Sequence, residues 1–284
     1  MHPHITCVGE LAKQSLRGVN NRASGTVIAV FESSVYLEIS GTDDLICLGT
    51  DALVDGPVNV RTSVLQLPSI YIGNQWQCRE DKLSIENGIS FQYKTDLLID
   101  TTRQILPISI PVEPHHIEML RLHLTQRNTQ TAFNQKLADC LQRSHQPLTQ
   151  WLQSKPGTPP TQELEKIIGY GEGLTPSGDD ILIGTLITLK HAKRAEHFEA
   201  LSCWIKTHAA TLTNRISLAH LLAACNGQAV VLLHDVLNAI SHSDKTLVQR
   251  ALTELEHYGH NSGNDALRGI LAVIDSGTVS QREL

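Results

Sequence analysis

A chain of 284 residues is long enough for two domains with separate cores, and its net charge of -6 with a pI near 6.1 disfavours long-range attraction to nucleic acid or an anionic membrane. No apolar run approaches the roughly 20 residues of a membrane span, and Met1-His2-Pro3-His4 is not the basic-then-apolar start of a secretory signal. The six cysteines are scattered without a Cys-x-x-Cys pair, so the expectation is a cytoplasmic protein with free thiols.

In chain order, Ile5 to Leu16 reads as a short helix. From Ser24 the pattern turns to β: Gly25 to Phe31, Ser34 to Ile39 and Leu45 to Leu48 are short β-branched runs separated by Gly, Asp and Ser. Gly56-Pro57 breaks the series, and Val58 to Arg61 alternates as another strand. Leu83 to Ile85 and Ile89 to Tyr93 flank Asn87-Gly88, whose residues both accept positive φ and so mark a two-residue hairpin. Leu97 to Ile99 reads as one strand more. This half is expected to be a small barrel or sandwich that supports a site elsewhere.

After Pro107, Pro111 and Pro114 the apolar residues recur at helical spacing. Helical windows are expected at Ile117–Leu124, Phe133–Leu141, Leu148–Leu152, Leu164–Ile168, Phe198–Thr211, Ser217–Ala224, Ala229–Ile240 and Lys245–Tyr258, with a last helix ending near Ser276-Gly277. The fold class is therefore α+β, with a mostly β domain over residues 1–112 followed by an all-helical domain over 113–284. His115-His116 reads as a polar helix start, and with no zinc spacing in the chain no metal ligands are assigned.

The chemistry is concentrated where the helical half is rich in glycine. Gly171-Glu172-Gly173-Leu174-Thr175-Pro176 leads into Ser177-Gly178-Asp179-Asp180-Ile181-Leu182-Ile183-Gly184, and a second copy, Ser262-Gly263-Asn264-Asp265-Ala266-Leu267-Arg268-Gly269, agrees at six of eight positions when Asp179 and Asn264 are counted as equivalent. A Tyr-Gly pair precedes each. A turn of this kind opening a helix points backbone N–H groups and the positive end of the helix dipole at one small volume. Gly184 and Gly269 each cost their helix about 1 kcal/mol relative to alanine, which close backbone approach would explain, so the two helices are expected to pack tightly and bring their first turns together. The turn is not a nucleotide P-loop, because no lysine follows it.

Successive helical residues point about 100° apart, so one of Asp179 and Asp180 faces the site while the other caps or orients it. Asp180 and Asp265 hold the same repeat position and are the candidate inward carboxylates. His260 beside them is a candidate general acid or base near neutral pH, giving a catalytic set of Asp180, Asp265 and His260. Candidate substrate contacts are Gly173, Thr175, Ser177, Gly178 and Asp179 from the first turn and Asn261, Ser262, Gly263 and Asn264 from the second. Arg215, in the hydroxyl-rich stretch Thr211 to Ser217, suits a carboxylate or phosphate.

Gly173-Leu174-Thr175-Pro176-Ser177-Gly178-Asp179-Asp180 and Gly259-His260-Asn261-Ser262-Gly263-Asn264-Asp265-Ala266-Leu267-Arg268-Gly269 resemble the paired motifs of a bacterial family that includes the AllH-type subunit of oxamate carbamoyltransferase. The resemblance extends to the Thr211–Ser217 stretch and Gly56-Pro57. It implies transfer of a carbamoyl group between oxalurate or oxamate and phosphate in anaerobic allantoin breakdown, alongside FdrA-like and AllG-type subunits. Two other functions fit the residue types: a noncatalytic subunit binding an acidic metabolite and a partner protein, and a hydrolase with Asp179, Asp180 and Asp265 around Mg²⁺.

Overall fold

The computed structural model describes residues 3–17, 22–67, 69–79, 82–86, 89–92, 106–128, 146–259 and 261–279. The chain divides into two compact units, residues 1–103 and 104–284.

The first unit is an eight-stranded, nearly closed barrel built from β1 (Ile5–Val8), β2 (Arg22–Val30), β3 (Ser34–Ile39), β4 (Leu45–Gly49), β5 (Asn59–Thr62), β6 (Gln75–Arg79), β7 (Lys82–Ile85) and β8 (Ile89–Gln92). Strand order is β1-β5-β4-β3-β2-β6-β7-β8, antiparallel except for the parallel β4–β5 pair. A bridge between His4 and Gln92, with Gln92 N–H donating to Pro3 O at 3.1 Å, joins the two ends. Val27, Leu37, Ile46, Val60, Trp76, Leu83 and Phe91 fill the interior.

The first expected helix is corrected in part. Ile5–Val8 is a strand, since Ile5, Cys7 and Val8 pair with β5 and are buried, and the helix α1 spans only Glu10–Arg17. Helix α1 packs on β2 and β4, which is why β4 is buried along its whole length rather than alternating. Strand β6 was not expected. Its glutamines and arginine disguise a clean alternation in which Trp76 and Cys78 point inward. Strands β7 and β8 pair as the expected hairpin. Asn87, Gly88 and the strand expected at 97–99 lie outside the described residues.

The second unit is helical: α2 (Pro114–Asn128), α3 (Gln162–Glu165), α4 (Ser177–His191), α5 (Ala195–Leu212), α6 (Arg215–Ala224), α7 (Val231–Ser241), α8 (Lys245–Leu255) and α9 (Ser262–Val279), with a further helical stretch over residues 146–152. The helix expected around 133–141 falls outside the described residues. Helix α4 is the centre of this unit. It is buried without interruption from Gly178 to Leu189, and α5, α6, α7 and α9 all pack against it. Among the described residues, no helix is long and apolar enough to cross a membrane.

The helical core also holds histidines in their neutral form. Burial lowers the pKa of His116, His191 and His197, and lowers that of His220 to about 4. The unfolded chain therefore binds protons that the folded one refuses, so stability is full above about pH 6.5 and falls as pH drops toward 4. His220 contributes on the order of 2–3 kcal/mol to this loss. A series of chemical denaturations between pH 7.5 and 4.5 is expected to show it, with a flatter profile for His220→Gln.

Candidate functional site

The two glycine turns are the same backbone device. In the first, Tyr170 N–H donates to Ile167 O at 3.1 Å and Gly178 N–H to Tyr170 O at 2.9 Å; in the second, Tyr258 N–H donates to Leu255 O at 3.0 Å and Gly263 N–H to Tyr258 O at 3.1 Å. The first loop carries extra residues between Tyr and Ser, among them the exposed Gly173. Gly171 and Gly259 both have positive φ, 121° and 61°, and a Cβ on either would run into the serine that opens the following helix. The repeat thus includes the end of the preceding helix, the Tyr-Gly turn and the start of the next helix.

The copies meet about a local pseudo-two-fold. A Cβ at Gly184 would lie 1.9 Å from Ala266 O, and one at Gly269 would lie 2.0 Å from Ile181 O; Ile181 and Ala266 occupy the same repeat position. Helices α4 and α9 therefore cross backbone against backbone at their glycines. At the mouth of the crossing the half-buried Thr175 and Ser262 hydroxyls are 2.9 Å apart. Below them the carboxyls are held reciprocally, with the Ser262 and Thr175 hydroxyls hydrogen-bonding to Asp180 and the Ser177 hydroxyl to Asp265.

Asp179 and Asp180 diverge as expected for adjacent helical residues. The Asp179 carboxylate accepts from Gly169 N–H at 2.8 Å, from the Ser217 hydroxyl at 2.6 Å and from the Thr213 hydroxyl. Burial raises its pKa, while the same three donors pull it down. Both its oxygens are engaged inside the fold, tying the first turn to the start of α6. Asn214 completes the tie: its side-chain oxygen caps α6 by accepting from Ile216 and Ser217 N–H at 3.0 Å, and its amide donates to Leu174 O at 3.0 Å. Asp179→Ala would strand three donors, and a melt is expected to show a loss of about 2–3 kcal/mol.

Asp180 and Asp265 are each 1% exposed. Burial and the neighbouring Asp265 charge, with Asp179 adding a smaller effect, hold the Asp180 carboxyl well above the ordinary carboxylate range. Burial raises Asp265 as well, but Arg268 opposes it, with its Nη1 2.9 Å from Asp265 Oδ1. Among the described residues, Asp180 Oδ1 and Asp265 Oδ2 have no hydrogen-bond partner. The result is an inequivalent pair of buried carboxyls, with Asp180 pushed further toward its protonated form than Asp265. Such divergence is how a fold provides an acid and a base from two identical groups.

Other expected site residues take different places. Asn261 is exposed and its carbonyl accepts Asp265 N–H at 3.0 Å; Asn264 is half-buried; Arg215 is exposed at the first position of α6. His260 lies outside the described residues. Gly178, Asp179 and Asp180 all donate their N–H groups to carbonyls of their own turn, so the first turn of α4 turns fewer N–H groups outward than its glycine content suggests. The carboxyls do not form a Mg²⁺ cage, because Asp179 is engaged by three donors and Asp265 by arginine. No group of three His, Cys, Asp or Glu among the described residues could hold a metal ion. Arg268 was missed. Its spacing of three from Asp265 on one helix was the available signal.

The chain is thus an α+β protein whose helical unit carries a duplicated Ser-Gly-x-Asp turn. Residues 167–274 match the family model described as oxamate carbamoyltransferase subunit AllH, a stretch that holds both turns and the helices between them. Over that stretch the chain is similar to the AllH-type family, which is described as a subunit of a carbamoyltransferase. No curated protein and no solved structure matches the chain.

Proposed function

We propose that the chain is a subunit of a carbamoyltransferase acting on a small carboxylate of the oxamate or oxalurate kind in allantoin or purine nitrogen breakdown, with FdrA-like and AllG-type partner subunits in the cytoplasm. The observation that carries this reading is the inequivalent Asp180–Asp265 pair beneath three half-buried hydroxyls, inside the stretch that matches the family model. In one direction a phosphate oxygen attacks the terminal carbamoyl carbon of oxalurate, the bond from that carbon to the amide nitrogen breaks, and the departing nitrogen takes a proton. The products are oxamate and carbamoyl phosphate. In the reverse direction the amide nitrogen gives up that proton as it attacks.

Asp180 is suited to hold the proton and Asp265 to remain ionised, while the Thr175, Ser177 and Ser262 hydroxyls link the buried carboxyls to the surface. Arg215 and the exposed ends of the two turns are the proposed contacts for anionic oxygens, with Asn261 and its neighbour in sequence, His260, as further candidates.

A second reading, a subunit that binds a metabolite and a partner without chemistry, draws support from the near-complete burial of both carboxyls. One experiment separates the two. The chain is co-expressed with its partner subunits, and phosphate-dependent formation of oxamate from oxalurate is followed with wild-type chain and with Asp180→Asn. Transfer that requires this chain and fails with the variant supports the catalytic reading; transfer that proceeds with the variant overturns it.

A further inference from the structure

The repeat is symmetric in backbone but not in charge. Position seven of each eight-residue copy is Ile183 in α4 and Arg268 in α9, and the Arg268 side chain, 12% exposed, reaches the Asp265 carboxylate of its own helix. Asp180 faces Asp265 from across the crossing and Asp179 from its own helix, and both are acidic. We infer that Arg268 is the positioning residue of the site: by holding Asp265 ionised it fixes the single proton of the pair on Asp180. The hydroxyls do not set this preference, since Asp180 has two of them, Ser262 and Thr175, against the single Ser177 of Asp265, and each favours the ionised form; the arginine on Asp265 is what opposes them.

This deepens the proton-handling role proposed above, yet its test does not require transfer activity. The carbonyl stretch of a protonated carboxyl is separate from that of a carboxylate, so infrared difference spectra of the full-length chain at neutral pH count the protons on the pair. Asp180→Asn is expected to remove one protonated-carboxyl band. Arg268→Gln leaves Asp265 buried without its cation, so the pair is expected to gain a proton and the count to double from one to two. Arg268→Lys restores a cation and is expected to return the count to one.

A band that survives Asp180→Asn, or a count that stays at one in Arg268→Gln, would overturn the assignment. If Arg268→Gln does not fold, the Asp180→Asn and Arg268→Lys spectra still decide it: loss of the band in the first and a single band in the second support the assignment, and any other result contradicts it. Failure of the transfer assay alongside this pattern would sink the proposed reaction while leaving the role of Arg268 intact.

Discussion

Gly184→Ala is expected to destabilise the helical unit by about 3 kcal/mol or more, at the upper end of what overpacking costs, although alanine improves helix propensity by about 1 kcal/mol. The added methyl would sit 1.9 Å from Ala266 O, and the obstacle is backbone of the facing helix rather than a side chain able to rotate away. Gly269→Ala meets the equivalent obstacle at Ile181 O, 2.0 Å away, with Thr185 N–H also close at 2.7 Å. Each change must push α4 and α9 apart, which also separates the Thr175 and Ser262 hydroxyls. Denaturation of both variants, with Gly173→Ala as a control, checks this. At Gly173 a Cβ meets nothing within 4 Å, so only its positive φ of 97° opposes the change.

The Gly184–Gly269 crossing was legible in the sequence because two glycines at one repeat position inside helices need a reason, and close approach is the commonest. The divergence of Asp179 and Asp180 was legible from helical geometry alone. The reciprocity of the serine and aspartate contacts was not, because it depends on the direction in which the helices cross, and no local pattern encodes that. The N–H groups of the first turn were read as open to an anion, yet their partners are carbonyls such as Tyr170 O, eight residues upstream of Gly178, fixed only once the loop closes. In the barrel, Ile5–Val8 was misread because a four-residue apolar run beside a helix start has no period of its own, and only pairing with β5 makes it a strand.

The repeat alone suggests that Asp180→Asn and Asp265→Asn behave alike, but the electrostatics separate them. Asparagine at 180 replaces the buried carboxyl by a group of the same shape, so stability is expected to stay within about 1 kcal/mol of wild type near pH 4 and to equal or exceed it at neutral pH. Asparagine at 265 leaves Arg268 without its carboxylate in a site where the arginine is 12% exposed, with an expected cost of about 2–3 kcal/mol, below the range for a fully buried pair. A pH signature accompanies the difference. Because the folded state holds the Asp180 proton more tightly than the unfolded state, stability falls as pH rises from the ordinary value of 3.8 toward the raised folded value. Asp180→Asn removes that slope.

Whether the Asp180–Asp265 pair handles the proton of the proposed transfer is decided by Asp180→Asn measured twice, by thermal melt and by carbamoyl transfer with the partner subunits present. The expected result is a melt at or above wild type at neutral pH and a rate lower by about a hundredfold or more, the scale of lost acid–base catalysis. A wild-type rate, or a loss of rate that only follows a loss of fold, would show that these carboxyls hold the two helices together and that the chemistry lies elsewhere.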